Sequence, residues 1–99
     1  MTNEELDKAV AKAQGWKYCE SPITHNAWWK TDTDTEYAVV VYKPTRNWKQ
    51  AGELLEKYKI DLSFEGEKWL AEISNNYFAY EDTPQKAICL AVLELEGEE

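Results

Sequence analysis

The segment Thr83-Pro84-Gln85-Lys86-Ala87-Ile88-Cys89-Leu90-Ala91-Val92-Leu93 constrains the fold most, because it reads as one well-formed helix directly after three short strand-like runs. Thr83 suits the N-cap, where its hydroxyl can accept a backbone N–H, and Pro84 suits the first helical position, where no donor is needed. Ala87, Ile88, Ala91, Val92 and Leu95 then recur at helical spacing. Strands followed by a helix imply a helix laid across a sheet.

The strand-like runs have a period of two. Ile60, Leu62 and Phe64 alternate with Asp61, Ser63 and Glu65; Glu65-Gly66-Glu67 turns; Trp69, Ala71 and Ile73 alternate with Lys68, Leu70 and Glu72. This is a hairpin. Asn75-Asn76 supplies another turn, and Tyr77 to Tyr80 a third strand. Upstream, the β-branched and aromatic run Tyr37 to Tyr42 is read as a strand covered on both faces and stopped by Pro44. Two further helices frame it. Thr2 and Glu5 fit a capping box ahead of the stripe Leu6, Ala9, Val10 and Ala13, with Gly15 at the end. Thr45 or Asn47 can cap the second, in which Trp48, Ala51, Leu55 and Tyr58 share a face, and Gly52 implies a close neighbour. Residues 16–36 show no sustained period, and Thr31-Asp32-Thr33-Asp34-Thr35 reads as an exposed loop. The acidic tail from Glu94 to Glu99 is expected to fray, since the helix dipole disfavours carboxylates there. The expected fold is one α+β domain over residues 1–99, a helix/sheet/helix sandwich. Its mostly antiparallel sheet has three or four strands, from residues 37–43, 60–65, 68–74 and 77–81, packed by three helices.

Composition narrows the function. The chain has 99 residues, 43% of them hydrophobic and 13% aromatic, enough for one core. Nineteen acidic residues against eleven basic ones give a formal charge of -8, which argues against direct nucleic-acid binding and favours a cationic partner surface. Cys19 and Cys89 lack metal-ligand spacing and are read as reduced thiols, Cys89 on the inner face of its helix. No apolar run approaches the roughly 20 residues of a membrane span. Met1-Thr2-Asn3-Glu4-Glu5 lacks the start of a signal peptide, so the expected location is the cytosol.

A helix ending in Gly15-Trp16, a second introduced by Thr45-Arg46-Asn47-Trp48 and continuing Ala51-Gly52-Glu53-Leu54-Leu55-Glu56-Lys57, and a third beginning Thr83-Pro84-Gln85-Lys86-Ala87-Ile88-Cys89 form an ordered set. In this the chain resembles the phage ABA-sandwich domain family over nearly its whole length. The resemblance implies helix, sheet and helix layers, a phage or prophage source and hence the host bacterial cytoplasm. It carries no assigned molecular role and supplies no catalytic residues.

Candidate chemistry is sparse. His25 is the only histidine and stands beside Asn26, but no activated nucleophile or oxyanion motif accompanies it, so a loop histidine is the better reading. Asp32, Asp34 and Glu36 alternate like ligands of a hard cation, yet the glycine and terminal glutamate of an EF-hand loop are missing. No metal, cofactor or catalytic residue is assigned, and no enzyme is expected. The aromatics say more. Trp48, Trp69 and Tyr58 occupy core-facing positions, whereas Trp28 and Trp29 are adjacent and, on an extended segment, point to opposite faces. Exposed aromatics next to Lys30, Lys43 or Arg46 would form a surface for a protein or a base. The candidate binding residues are therefore Trp28, Trp29, Lys30, Asp32, Asp34, Glu36 and Arg46. The leading expectation is a non-enzymatic phage accessory protein that sequesters or blocks a host protein such as a defence component. The alternatives are an oligomer, such as a homodimer, holding a small nucleotide signal, and a structural or assembly factor of the phage particle.

Overall fold

The computed structural model describes residues 2–33, 35–74 and 76–97. Elements follow in the order α1 (Asn3–Ala13), β1 (Lys17–Glu20), β2 (Ala27–Lys30), β3 (Glu36–Ala38), α2 (Trp48–Tyr58), β4 (Asp61–Glu65), β5 (Lys68–Ile73), β6 (Tyr77–Glu81) and α3 (Pro84–Gly97). The fold is α+β, with three helices and antiparallel strand pairing, as expected. The strands form two three-stranded sheets, β1-β2-β3 and β4-β5-β6, where one sheet of three or four strands was anticipated.

The ends of α1 and the start of α2 are made by residues that the sequence singles out, and the end of α2 by one that it does not. Thr2 Oγ1 accepts from Glu5 N–H at 3.1 Å while the Glu5 carboxylate accepts from Thr2 N–H at 3.3 Å. That reciprocal bond holds the exposed Glu5 carboxyl below its usual range, the Thr2 backbone N–H being the larger cause. At the other end Gly15, at φ 82°, lets its own N–H reach Lys12 O and Trp16 N–H reach Ala11 O. This is the paired closure that a left-handed residue after a helix permits. In α2, Asn47 is the cap, accepting from Gln50 N–H at 3.1 Å. Lys59, at φ 54°, closes the helix, and Ile60 N–H bonds back to Leu55 O. Gly52, however, has no close neighbour: a Cβ placed there would meet nothing within 4 Å, so the inferred packing contact is absent.

The largest correction concerns residues 37–43. The strand ends at Ala38, and Val39 to Val41 turn, with Val41 N–H and Tyr42 N–H both donating to Ala38 O. Val40 is 82% exposed, the opposite of a strand covered on both faces. A β-branched run favours a strand only where another strand stands beside it. Here the Gln50 amide takes that place, donating to Val41 O at 3.0 Å and accepting from Lys43 N–H at 2.7 Å. The segment 16–36, which shows no period, supplies β1 and β2, each only four residues long. The register pairs Tyr18 with Trp29 and Trp29 with Tyr37 on one face, and Cys19 with Trp28 and Trp28 with Ala38 on the other.

The second sheet matches its sequence pattern. Gly66 and Glu67 both have positive φ, making the two-residue turn that suits the twist of a hairpin. Ser74, at φ 55°, helps turn β5 into β6; Asn75 of the expected Asn75-Asn76 turn lies outside the described residues. Leu62, Ala71 and Ala79 stand side by side on the inner face, with Ile73 beside Tyr77. The small alanines let α3 lie close to β5 and β6, and α3 also touches α1 and α2. Ala87, Ile88, Cys89, Ala91 and Val92 are all fully buried, an arc too wide for one neighbour, as expected of a helix covered on more than one side. The tail does not fray where it is described: α3 continues to Gly97, with Leu95 packed on the core.

Candidate functional site

Of the residues singled out by sequence, the two tryptophans part company. Trp29 is 1% exposed and belongs to the core, edge-on to Tyr18 at 5.5 Å, so it offers a partner nothing. Trp28 lies half-buried on the opposite face of the first sheet, in line with Cys19 and Ala38, and is not part of the core cluster. Lys30 pairs in register with Lys17 and Glu36, and all three are exposed on the face that carries Trp28. Asp34 lies outside the described residues. Arg46 serves the fold: its guanidinium donates to Asp7 Oδ2 at 3.2 Å while Thr45 N–H donates to Asp7 Oδ1 at 2.9 Å. Asp7 is only 3% exposed, so this pair pins the approach to α2 onto α1. His25 sits at φ 61° in the β1–β2 connection, exposed, with Nδ1 3.7 Å from Glu20 Oε1. Trp48, expected in the core, is 53% exposed. Among the described residues, no three His, Cys, Asp or Glu side chains gather as a metal site, and no helix is long and apolar enough to cross a membrane.

Asp32 falls where the structure does gather side chains. A cleft of about 460 Å³ opens between the end of α1, the first sheet and α2. Trp16 and Tyr37 line it, stacked with centroids 5.6 Å apart and planes 10° apart, and Tyr42 lies 4.6 Å from Trp16. Gln14 ties the site together, donating to the Tyr42 hydroxyl at 2.9 Å and accepting from Lys57 Nζ at 3.1 Å. Burial pushes the Tyr42 hydroxyl well above its ordinary pKa despite that hydrogen bond. Thr31, Thr33 and Thr35 line one side and are locked to each other: Thr31 Oγ1 accepts the backbone N–H of Thr33 and of Thr35, and their hydroxyls are 3.1 and 3.3 Å apart in sequence. Asp32, Glu53 and Glu56 add three carboxylates against the single ammonium of Lys57. The lining thus combines three aromatic rings with more carboxylates than ammonium groups.

A second surface is open rather than concave. On the outer face of β4-β5-β6, Leu70 stands opposite Tyr80, and Glu72 opposite Phe78. Phe78 is 54% and Tyr80 48% exposed, their rings edge to face at 6.1 Å. Leu70, Phe78 and Tyr80 all lie outside the core cluster. The same register puts Asp61 beside Glu72 and Glu65 beside Lys68 on this face. Lys68 also approaches Asp82, at 3.9 Å. The outer face of an exposed antiparallel sheet is normally polar; this one has an apolar centre in a mainly acidic frame. Part of the signal for it is in the sequence, since Leu70 fills an outward position of the strand whose alternation puts Trp69, Ala71 and Ile73 inward, whereas the faces of Tyr77 to Tyr80 come from the register. The cleft had no such signal, because its residues come from three separate segments.

Over residues 1–94 the chain matches the family model described as bacteriophage P22, NinX. Neither a curated protein nor a solved structure matches it.

Proposed function

From the premise that the chain belongs to the bacteriophage P22 NinX family, we propose that this phage protein is a non-enzymatic accessory factor that binds and blocks a host protein in the bacterial cytoplasm. One observation carries the reading: Leu70, Phe78 and Tyr80 form an apolar centre outside the core cluster of the described residues, framed by Asp61, Glu65 and Glu72. Exposed aromatics inside a charged rim are the usual makings of a binding hot spot. The acidic frame and the net charge of -8 select a partner whose contact surface has an apolar patch rimmed by Lys and Arg. The same charge opposes pairing this face with a copy of itself.

The test is a binding measurement with the partner captured from host lysate, identified and purified. Phe78→Ser with Tyr80→Ser should weaken binding by about 30-fold or more, the loss for removing about 2 kcal/mol of hot-spot contact. Affinity should also fall as salt rises. Retention of wild-type affinity by the folded double variant would refute the assignment; Trp28→Ser is the control on the other sheet. The nucleotide-sponge alternative is less favoured, since the aromatic cleft would set a nucleotide's phosphates against Asp32, Glu53 and Glu56. A particle-assembly role predicts the protein in purified virions, which mass spectrometry decides.

A further inference from the structure

We infer that the cleft between α1, the first sheet and α2 is a receptor for a cationic group, the guanidinium of an arginine or a primary ammonium. It stands apart from the host-binding face, being built from other elements, so either can fail without the other.

Three independent features point to a cation. The first is the floor: Trp16 and Tyr37 are stacked at 5.6 Å and Tyr42 leans on Trp16, so the cleft is lined by aromatic rings, whose π faces are electron-rich. Cations bind such faces, and guanidinium also stacks on them. The second is charge. Glu53 and Glu56 reach the cleft from α2 and Asp32 from the opposite loop, so carboxylates flank the floor from two sides. The cation already there, Lys57, is held by Gln14 Oε1 at 3.1 Å and lies 5.6 Å from the Tyr58 ring centroid. The third is space and rigidity. About 460 Å³ falls within the roughly 300–1,000 Å³ of small-molecule sites. Hydrogen bonds among Thr31, Thr33 and Thr35 and the Gln14 bridge to Tyr42 hold side chains of its walls in place, which lowers the ordering that binding requires.

Two sources could supply the group: an arginine or lysine side chain of a protein, or a free polyamine. Both bring a positive charge with a short apolar stem that can lie along the rings.

The experiment is an amide and indole NMR titration of the whole chain with N-acetyl-arginine methylamide, with spermidine and with AMP, each at constant ionic strength. Saturable shifts at Trp16, Tyr37 and residues 31–33 with the arginine amide, and not with AMP, are expected. Glu53→Gln with Glu56→Gln should weaken that binding at least tenfold; Asp32→Asn is a second variant, and the spectra themselves report whether each is folded. Saturation by the arginine amide alone identifies a guanidinium site, and by spermidine alone or by both an ammonium-accepting one. The inference is overturned if neither cation saturates, if binding persists undiminished in the folded variants, or if AMP fills the cleft.

Discussion

Asp7 engages both carboxylate oxygens while almost wholly buried, one with the Thr45 N–H and one with Arg46, and its two partners differ in what their loss would do. Arg46 is half exposed, so removing it admits some water to the carboxylate; removing a partner of a fully buried charge would cost more. Arg46→Met is therefore expected to lower stability by about 2 kcal/mol in urea unfolding, below the roughly 3–5 kcal/mol of a fully buried pair. A change under about 0.5 kcal/mol, the range of ordinary surface substitutions, would show that water replaces the guanidinium fully. From sequence Arg46 stood among the binding candidates, because a lysine- and arginine-flanked aromatic patch was the visible pattern. Its carboxylate partner lies 39 positions away and could not be seen. Burial of Cys89 belongs to the same scale: desolvation, and after it the charge of Asp7, push its thiol well above the ordinary range. In sequence Cys89 falls on the inner face of its helix, which its burial bears out, whereas the nearness of Asp7 comes from the tertiary fold.

Among the elements, α2 shows where local rules hold and where they were over-read. Its cap at Asn47 and its extent follow from residues within a few positions. In sequence Gly52 suggests close packing, but open space surrounds it, so it weakens the helix without a compensating contact. Gly52→Ala should raise stability by about 0.5–1 kcal/mol, measured by the midpoint of denaturant unfolding; a loss would mean a neighbour closes on this position in solution. The hairpin β4–β5 was legible because alternation and a two-residue turn are local. The first sheet was not, since four-residue strands are too short for alternation to stand out, and Val39–Val41 carry the composition of a strand while making a turn. Gln50, by satisfying Lys43 N–H and Val41 O, is what makes that turn tenable.

At the scale of the whole molecule, 49 × 25 × 22 Å, α3 is the common neighbour of the second sheet and the other two helices. Its last turn is tied in too: burial, then the charge and hydrogen bond of Glu96, push the Tyr58 hydroxyl up to about 12. A tyrosine with ordinary pKa near 10 when unfolded and higher when folded contributes its full stability below pH 10. That contribution disappears as the pH climbs through the folded value. Stability should thus fall between pH 10 and about 12 as Tyr58 ionises, which denaturant unfolding across that range measures. If stability is unchanged across that range, Tyr58 is not buried against the last turn of α3. The three capped helices that carried the resemblance to a phage family fall within residues 2–97, and the match to the NinX family covers 1–94. By itself the sequence determined the helix starts, the hairpin period, the α+β class and the acidic balance, because caps, turns and alternation act across a few residues. Only the tertiary structure decided that Trp29 is core while Trp28 is surface, that the valine run turns, and that Trp16, Tyr37, Asp32 and Glu53 share one cleft. Each of these depends on which distant segment stands opposite, and burial and charge act through space, whatever the separation along the chain.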